Sequence, residues 1–247
     1  MLEVVGLTKV FKTVRAVDGV SFTVNPGEIV GLLGPNGAGK TTMMRCITTI
    51  LEPTAGSVRI NGHDLQTQMD KAKRGLAFVP EVPNLYELLT VEEHIRFVAM
   101  CFDTLSVYDS SIDALLHRYS LTDKRKALVA TLSKGMRQKL SIACAMVHNA
   151  NVFLFDEPII GVDPAGVAEF KAEMARGREQ GYCYLVSTHL LDVAEKLCDR
   201  VVIMNKGKTV AQGTVDELRN LSHMQGADLE QLFLSLTKPN EAPPLPH

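Results

Sequence analysis

Apolar positions in this chain fall into short runs between turn residues, interrupted midway by a stretch with helical spacing. Leu2–Val5, Val14–Val17 and Val20–Val24 predict strands, Asn25-Pro26-Gly27 a turn, and Glu28–Leu33 a buried parallel strand. Met43–Leu51 predicts a helix that closes near Pro53, followed by strands over Ser57–Ile60 and Gly75–Val79. From Val82 the spacing turns helical. Thr90-Val91-Glu92-Glu93 is a capping box opening a helix to about Met100, and helical sequence continues through Leu116, over Lys124–Leu132 and after Ser133. Val152–Glu157 is again a strand, and Asp163-Pro164 caps a helix that Gly181 stops. Tyr182–Val186, Val201–Met204 and Thr209–Ala211 predict strands, and helices follow from Val215 and over Asp228–Leu236. The pattern predicts an α/β core over 1–81 and 151–237, with a helical insertion over 82–150. Lys238–His247, with four prolines, predicts a flexible tail.

At 247 residues the chain is long enough to bury a substantial core, and 46% hydrophobic with 22% charged residues is a globular composition. A net charge of -2 offers no global basic field, so nucleic acid is not an expected partner. Five cysteines, Cys46, Cys101, Cys144, Cys183 and Cys198, form no C-x-x-C pair and predict reduced thiols in a cytosolic protein. Met1-Leu2-Glu3 leads straight into strand-like sequence, which argues against a signal peptide. No apolar run reaches the roughly 18 residues of a membrane span, so a role at a membrane requires another chain to provide the pathway.

Chemistry enters at Gly34-Pro35-Asn36-Gly37-Ala38-Gly39-Lys40-Thr41-Thr42, which fits G-x-x-x-x-G-K-[ST] between a predicted strand and helix. Glycines allow a tight turn whose N–H groups converge on anionic oxygens, and the helix that follows aims its positive end at the same place. Lys40 adds a point charge for the β- and γ-phosphates, and the Thr41 hydroxyl suits Mg²⁺. Hydrolysis also needs a metal ligand and a group to orient water. Asp156 and Glu157 end an apolar strand, where ligands meet a parallel sheet; Asp156 suits Mg²⁺ and Glu157 a general base. His189 ends another strand. Phe11 either stacks on a base or packs within the sheet. Ser133 and Gly135, in Leu132-Ser133-Lys134-Gly135-Met136-Arg137-Gln138, open a helix whose apolar face is Met136, Leu140, Ala143 and Val147, a second anion site.

These motifs resemble the ATP-binding subunit of an ABC transporter over nearly all of residues 2–236: GPNGAGKTT resembles the Walker A loop, VFLFDEP the Walker B strand and LSKGMRQ the signature. The resemblance implies a P-loop NTPase core, a mixed sheet with a RecA-like parallel centre and an N-terminal antiparallel β subdomain, plus an inserted helical subdomain. It implies ATP and Mg²⁺ as ligands, Glu157 and His189 as catalytic groups, Phe11 on adenine, and Glu81 with Thr41 and Asp156 at the metal. It implies a head-to-tail pair, expected to be a homodimer, in which Ser133, Gly135 and Asp163 of one copy face the nucleotide of the other. A transmembrane permease subunit is the further partner, at the inner face of the cell membrane. Lys134, Met136, Glu81 and Ile160 depart from the family pattern. With DLEQLFLSLT near the end, they resemble the exporter branch whose ATPase and membrane subunits are separate chains. A soluble ABC ATPase acting in iron–sulfur assembly, translation or on DNA is the alternative. A module that binds ATP without hydrolysing it is disfavoured by Glu157 and His189.

Overall fold

The computed structural model describes residues 1–237; the predicted tail over 238–247 lies outside the described residues. In chain order come β1 (Leu2–Phe11), β2 (Val14–Val24), β3 (Ile29–Leu33), α1 (Lys40–Ile47), β4 (Ala55–Ile60), β5 (His63–Asp64), α2 (Met69–Arg74) and β6 (Leu76–Val79). Three longer helices follow: α3 (Val91–Cys101), α4 (Leu105–Arg118) and α5 (Lys134–Val147). The chain then alternates again through β7 (Val152–Asp156), α6 (Pro164–Glu179), β8 (Cys183–Thr188) and α7 (Leu191–Leu197). It finishes with β9 (Arg200–Asn205), β10 (Lys208–Gly213), α8 (Val215–Leu221) and α9 (Leu229–Thr237).

Two sheets result, an antiparallel one in the order β2-β1-β4-β5 and a larger one in the order β10-β9-β3-β8-β7-β6. In the second, every neighbouring pair from β9 to β6 is parallel and only β10 is antiparallel. Every residue of β3, β7 and β8 is buried, as continuous apolar runs covered on both faces demand. Alternation within a strand separates the two covering layers. Val152, Leu154 and Leu185 pack with α1, β1 and β2; Phe153, Phe155 and Tyr184 pack on the other face with α3, α4 and α5. A third cluster seats α8 and α9 beside β9 through Leu218, Leu229 and Leu232.

Three sequence expectations change. Val14–Val17 and Val20–Val24 are one strand, kept continuous by a register shift against β1 around Gly19, whose φ is +67°. α1 stops at Ile47 instead of Leu51, because Thr49 takes φ +60°. Lys124–Leu132 is not a helix but two short 3-10 turns, Thr122–Lys124 and Val129–Thr131. Its backbone is claimed by the start of α3: Val91 N donates to Ala127 O at 3.1 Å, Glu92 N to Arg125 O at 3.1 Å, and Val129 N to Leu89 O at 2.9 Å. Glu92 also draws Arg125 to 2.5 Å and pairs with Lys126, which holds the Glu92 carboxyl near a pKa of about 2. The capping box at Thr90 and Glu93 is formed as expected.

Candidate nucleotide site

β3 ends at Leu33, and the chain turns through Gly34–Gly39 into α1. Two of these glycines are obligatory. A Cβ on Gly39, at φ +103°, would lie 2.3 Å from Ala16 O, and one on Gly34 would lie 2.4 Å from Met204 O. Gly39 is also the N-cap of α1 and brings no side-chain cap, which leaves first-turn N–H groups for an anion. Lys40 is 7% exposed and turns its Nζ back onto Gly34 O at 2.6 Å and Pro35 O at 3.4 Å. Burial pushes the ammonium down from the ordinary lysine range; the carboxylates of Glu157, Asp156 and Glu81 oppose that shift.

The acids are set by the pairing of β7 with β8, which puts Asp156 opposite Ser187. The Ser187 hydroxyl donates to Asp156 Oδ1 and accepts from Glu157 N at 3.1 Å. Glu157 has φ +49°, a left-handed backbone that a side chain this large seldom adopts. Its Oε1 lies 3.0 Å from His189 Nδ1, and its Oε2 is buried without a partner.

Pro35, Asn36, Gly37, Ala38, Gly39, Lys40, Thr41 and Thr42 line one cavity of about 300 Å³ together with Glu81, Asp156, Glu157 and His189. Gly34 closes the turn beneath it. Four predicted residues lie elsewhere. Phe11 ends β1 at 43% exposure with Lys9 Nζ 5.1 Å from its ring centroid, so it does not pack within the sheet. Ser133 caps α5, accepting from Met136 N at 3.3 Å, and a Cβ on Gly135 would lie 2.9 Å from Gly161 O. Asp163 caps α6 through Gly166 N at 2.7 Å and pairs with Lys139 at 2.7 Å; Lys139 first, then the Gly166 N–H, holds its carboxyl below the usual range. Ser133, Gly135 and Asp163 therefore form a second group, joined to the cavity by the seven residues from Glu157 to Asp163.

Sequence reasoning missed Ala16 and Ser187. Ala16 enters from β2 and carries no chemical signal. Ser187 had one: like Asp156, it is a polar residue near the end of an apolar strand. No three His, Cys, Asp or Glu side chains among the described residues converge to hold a metal alone. A divalent cation here therefore needs oxygens from a bound nucleotide. Thr41, Asp156 and Glu81 supply the hydroxyl and carboxylate oxygens that suit Mg²⁺, so the donor set fits.

Residues 17–160 match the family model for ABC transporter. The ABC-type transporter ATP-binding protein EcsA of Bacillus subtilis (strain 168) is 36% identical over 239 residues, covering 96% of this chain and 97% of that protein. The probable multidrug ABC transporter ATP-binding protein YbhF of Escherichia coli (strain K12) is 35% identical over 240 residues, covering 96% of this chain and 41% of that protein. A solved ATP-binding subunit of an ABC transporter, 37% identical, superposes with a TM-score of 0.93 and covers 96% of this chain and all of that one.

Proposed function

The chain belongs to the ABC transporter family, as an ATP-binding and ATP-hydrolysing subunit, and from that premise we propose that it drives export through a separate transmembrane permease. The observation that carries the reading is the convergence of Lys40, Asp156, Glu157 and His189 on one cavity at the carboxyl ends of parallel strands.

In this reading the loop N–H groups and Lys40 hold the β- and γ-phosphates. Mg²⁺, held by Thr41, Asp156 and Glu81, would neutralise phosphate charge. Glu157 Oε2, buried and unpartnered, accepts the proton of the attacking water, while His189 at 3.0 Å fixes the other carboxylate oxygen. Phe11 offers an exposed ring to the adenine. Ser133, Gly135 and Asp163 face a second copy of the chain, whose bound γ-phosphate supplies the anion for the α5 N-terminus. ATP closes the pair and hydrolysis opens it.

The membrane partner docks in an apolar groove of about 420 Å³ between the β6 edge and α3 and α5, lined by Phe78, Leu85, Val98 and Phe102. Beyond it the segment after β6 exposes Val82 at 71% and Leu88 at 87%, apolar surface that calls for cover. No helix among the described residues is long and apolar enough to cross a membrane, which agrees with a pathway in another chain. The name of YbhF, a probable multidrug transporter protein, supports the export direction. The subunit then sits on the cytoplasmic side, held there by its permease.

The test is Mg²⁺-dependent ATP turnover of the full chain, alone and with its candidate permease in lipid. Stimulation by the permease supports the transport reading; turnover indifferent to any membrane protein favours a soluble ATPase.

A further inference from the structure

We propose that Glu81 makes this site discriminate against nucleotide that arrives without a divalent cation. The inference rests on the nucleotide reading above and concerns how the pocket selects among forms of that ligand. β6 and β7 run parallel with Val79 opposite Phe155. Glu81, two residues past Val79, and Glu157, two past Phe155, line the same cavity. Three carboxylates, Glu81, Asp156 and Glu157, share that lining with one ammonium, Lys40, and with the imidazole of His189.

The pocket does not neutralise this charge from within. Lys40 points its Nζ at two loop carbonyls, Gly34 O and Pro35 O. Glu157 Oε2, on a residue 8% exposed, is buried without a partner, and Glu81 takes no ion-pair partner among the described residues. A bare triphosphate adds its own negative charge and meets about half a positive charge from the α1 N-terminus besides Lys40. A divalent cation between the phosphates and the carboxylates turns each acid from a repulsion into an attraction. Asp156 and Glu157 are buried and belong to the β7–β8 join. Glu81 is exposed on a loop and makes no side-chain contact that the fold needs. Its charge can therefore be removed without disturbing the fold, which changes only the field of the site and the oxygen that Glu81 offers a cation.

The experiment is calorimetric titration of the full chain with ATP, in excess Mg²⁺ and in EDTA, for the wild type and Glu81→Gln. Glu81→Gln should tighten metal-free binding about three- to ten-fold. It should leave the Mg²⁺ affinity equal or weaker, so that the ratio of the two Kd values contracts. Glu81→Lys should contract that ratio further. An unchanged ratio, a common shift in both affinities, or a Glu81→Lys effect no larger than that of Glu81→Gln overturns the proposal. A wild type that binds ATP in neither condition overturns the nucleotide reading itself, and this inference with it.

Discussion

The hydroxyl of Ser187 donates to Oδ1 of the buried Asp156 and so ties the end of β8 to the end of β7. The same oxygen accepts from Glu157 N at 3.1 Å, so one side chain sets the positions of two neighbouring acids. Asp156 is 2% exposed, where an unmatched carboxylate oxygen is costly.

Ser187→Ala should therefore destabilise the fold by about 1–3 kcal/mol. It should also weaken Mg²⁺-dependent ATP binding, because Asp156 loses the contact that orients it. Urea unfolding and calorimetry read the two effects separately. Unchanged values in both would remove Ser187 from the site.

Glu157→Gln keeps the shape of the side chain and the contact to His189, but it cannot take a proton. Turnover should fall by about 10²–10⁴-fold, while ATP binding persists. With hydrolysis blocked, the ATP-bound pair should accumulate, visible as a doubled mass by light scattering. A variant that stays monomeric at saturating ATP counts against a nucleotide-bridged dimer.

Tyr184 lies buried in β8 with its hydroxyl unpartnered, beneath Gly177 of α6, where an added Cβ would fall 1.8 Å from that hydroxyl. Gly177→Ala should cost about 1–3 kcal/mol through overpacking, despite the better helix propensity of alanine. Tyr184→Phe removes an unsatisfied polar atom and should be neutral or stabilising. The double variant should recover part of the loss, because Tyr182 Cδ2 at 2.8 Å and the Cζ of residue 184 at 2.9 Å still crowd the added Cβ. Additive effects would show that the hydroxyl is not the obstacle.

His148 stacks on Phe102 with ring centroids 3.5 Å apart, and burial lowers its pKa from 6.5 to about 4. Between these values the unfolded chain binds the proton and the folded chain does not. Its stabilising effect is thus complete above about pH 6.5 and is lost as the pH falls towards 4. From pH 7 to pH 5 the wild type should lose about 2 kcal/mol more than His148→Phe, measured by urea unfolding. Parallel profiles would contradict a buried neutral imidazole.

The Gly-rich turn into α1, the acids at the end of β7 and the caps of α3 and α6 were legible in the sequence because each is a local pattern with a local cause. Thr90 and Glu93 form their capping box within three residues, and Asp163 needs only Gly166. What the sequence concealed depends on distant partners. Lys124–Leu132 has helical composition, yet the start of α3 takes its hydrogen bonds. Ser187 gains its importance only from the register that sets it beside Asp156, 31 positions earlier. Ala16 reaches the cavity solely through the fold of β2.

Lys40 already spends its ammonium on Gly34 O and Pro35 O. Under the proposed function, an incoming phosphate exchanges one set of contacts for another, where a bare buried charge would have gained them outright. On its escape, the Gly34 and Pro35 carbonyls stand ready to take the lysine back. For an ATPase that must discard its product every cycle, such an exchange favours turnover over tenacity.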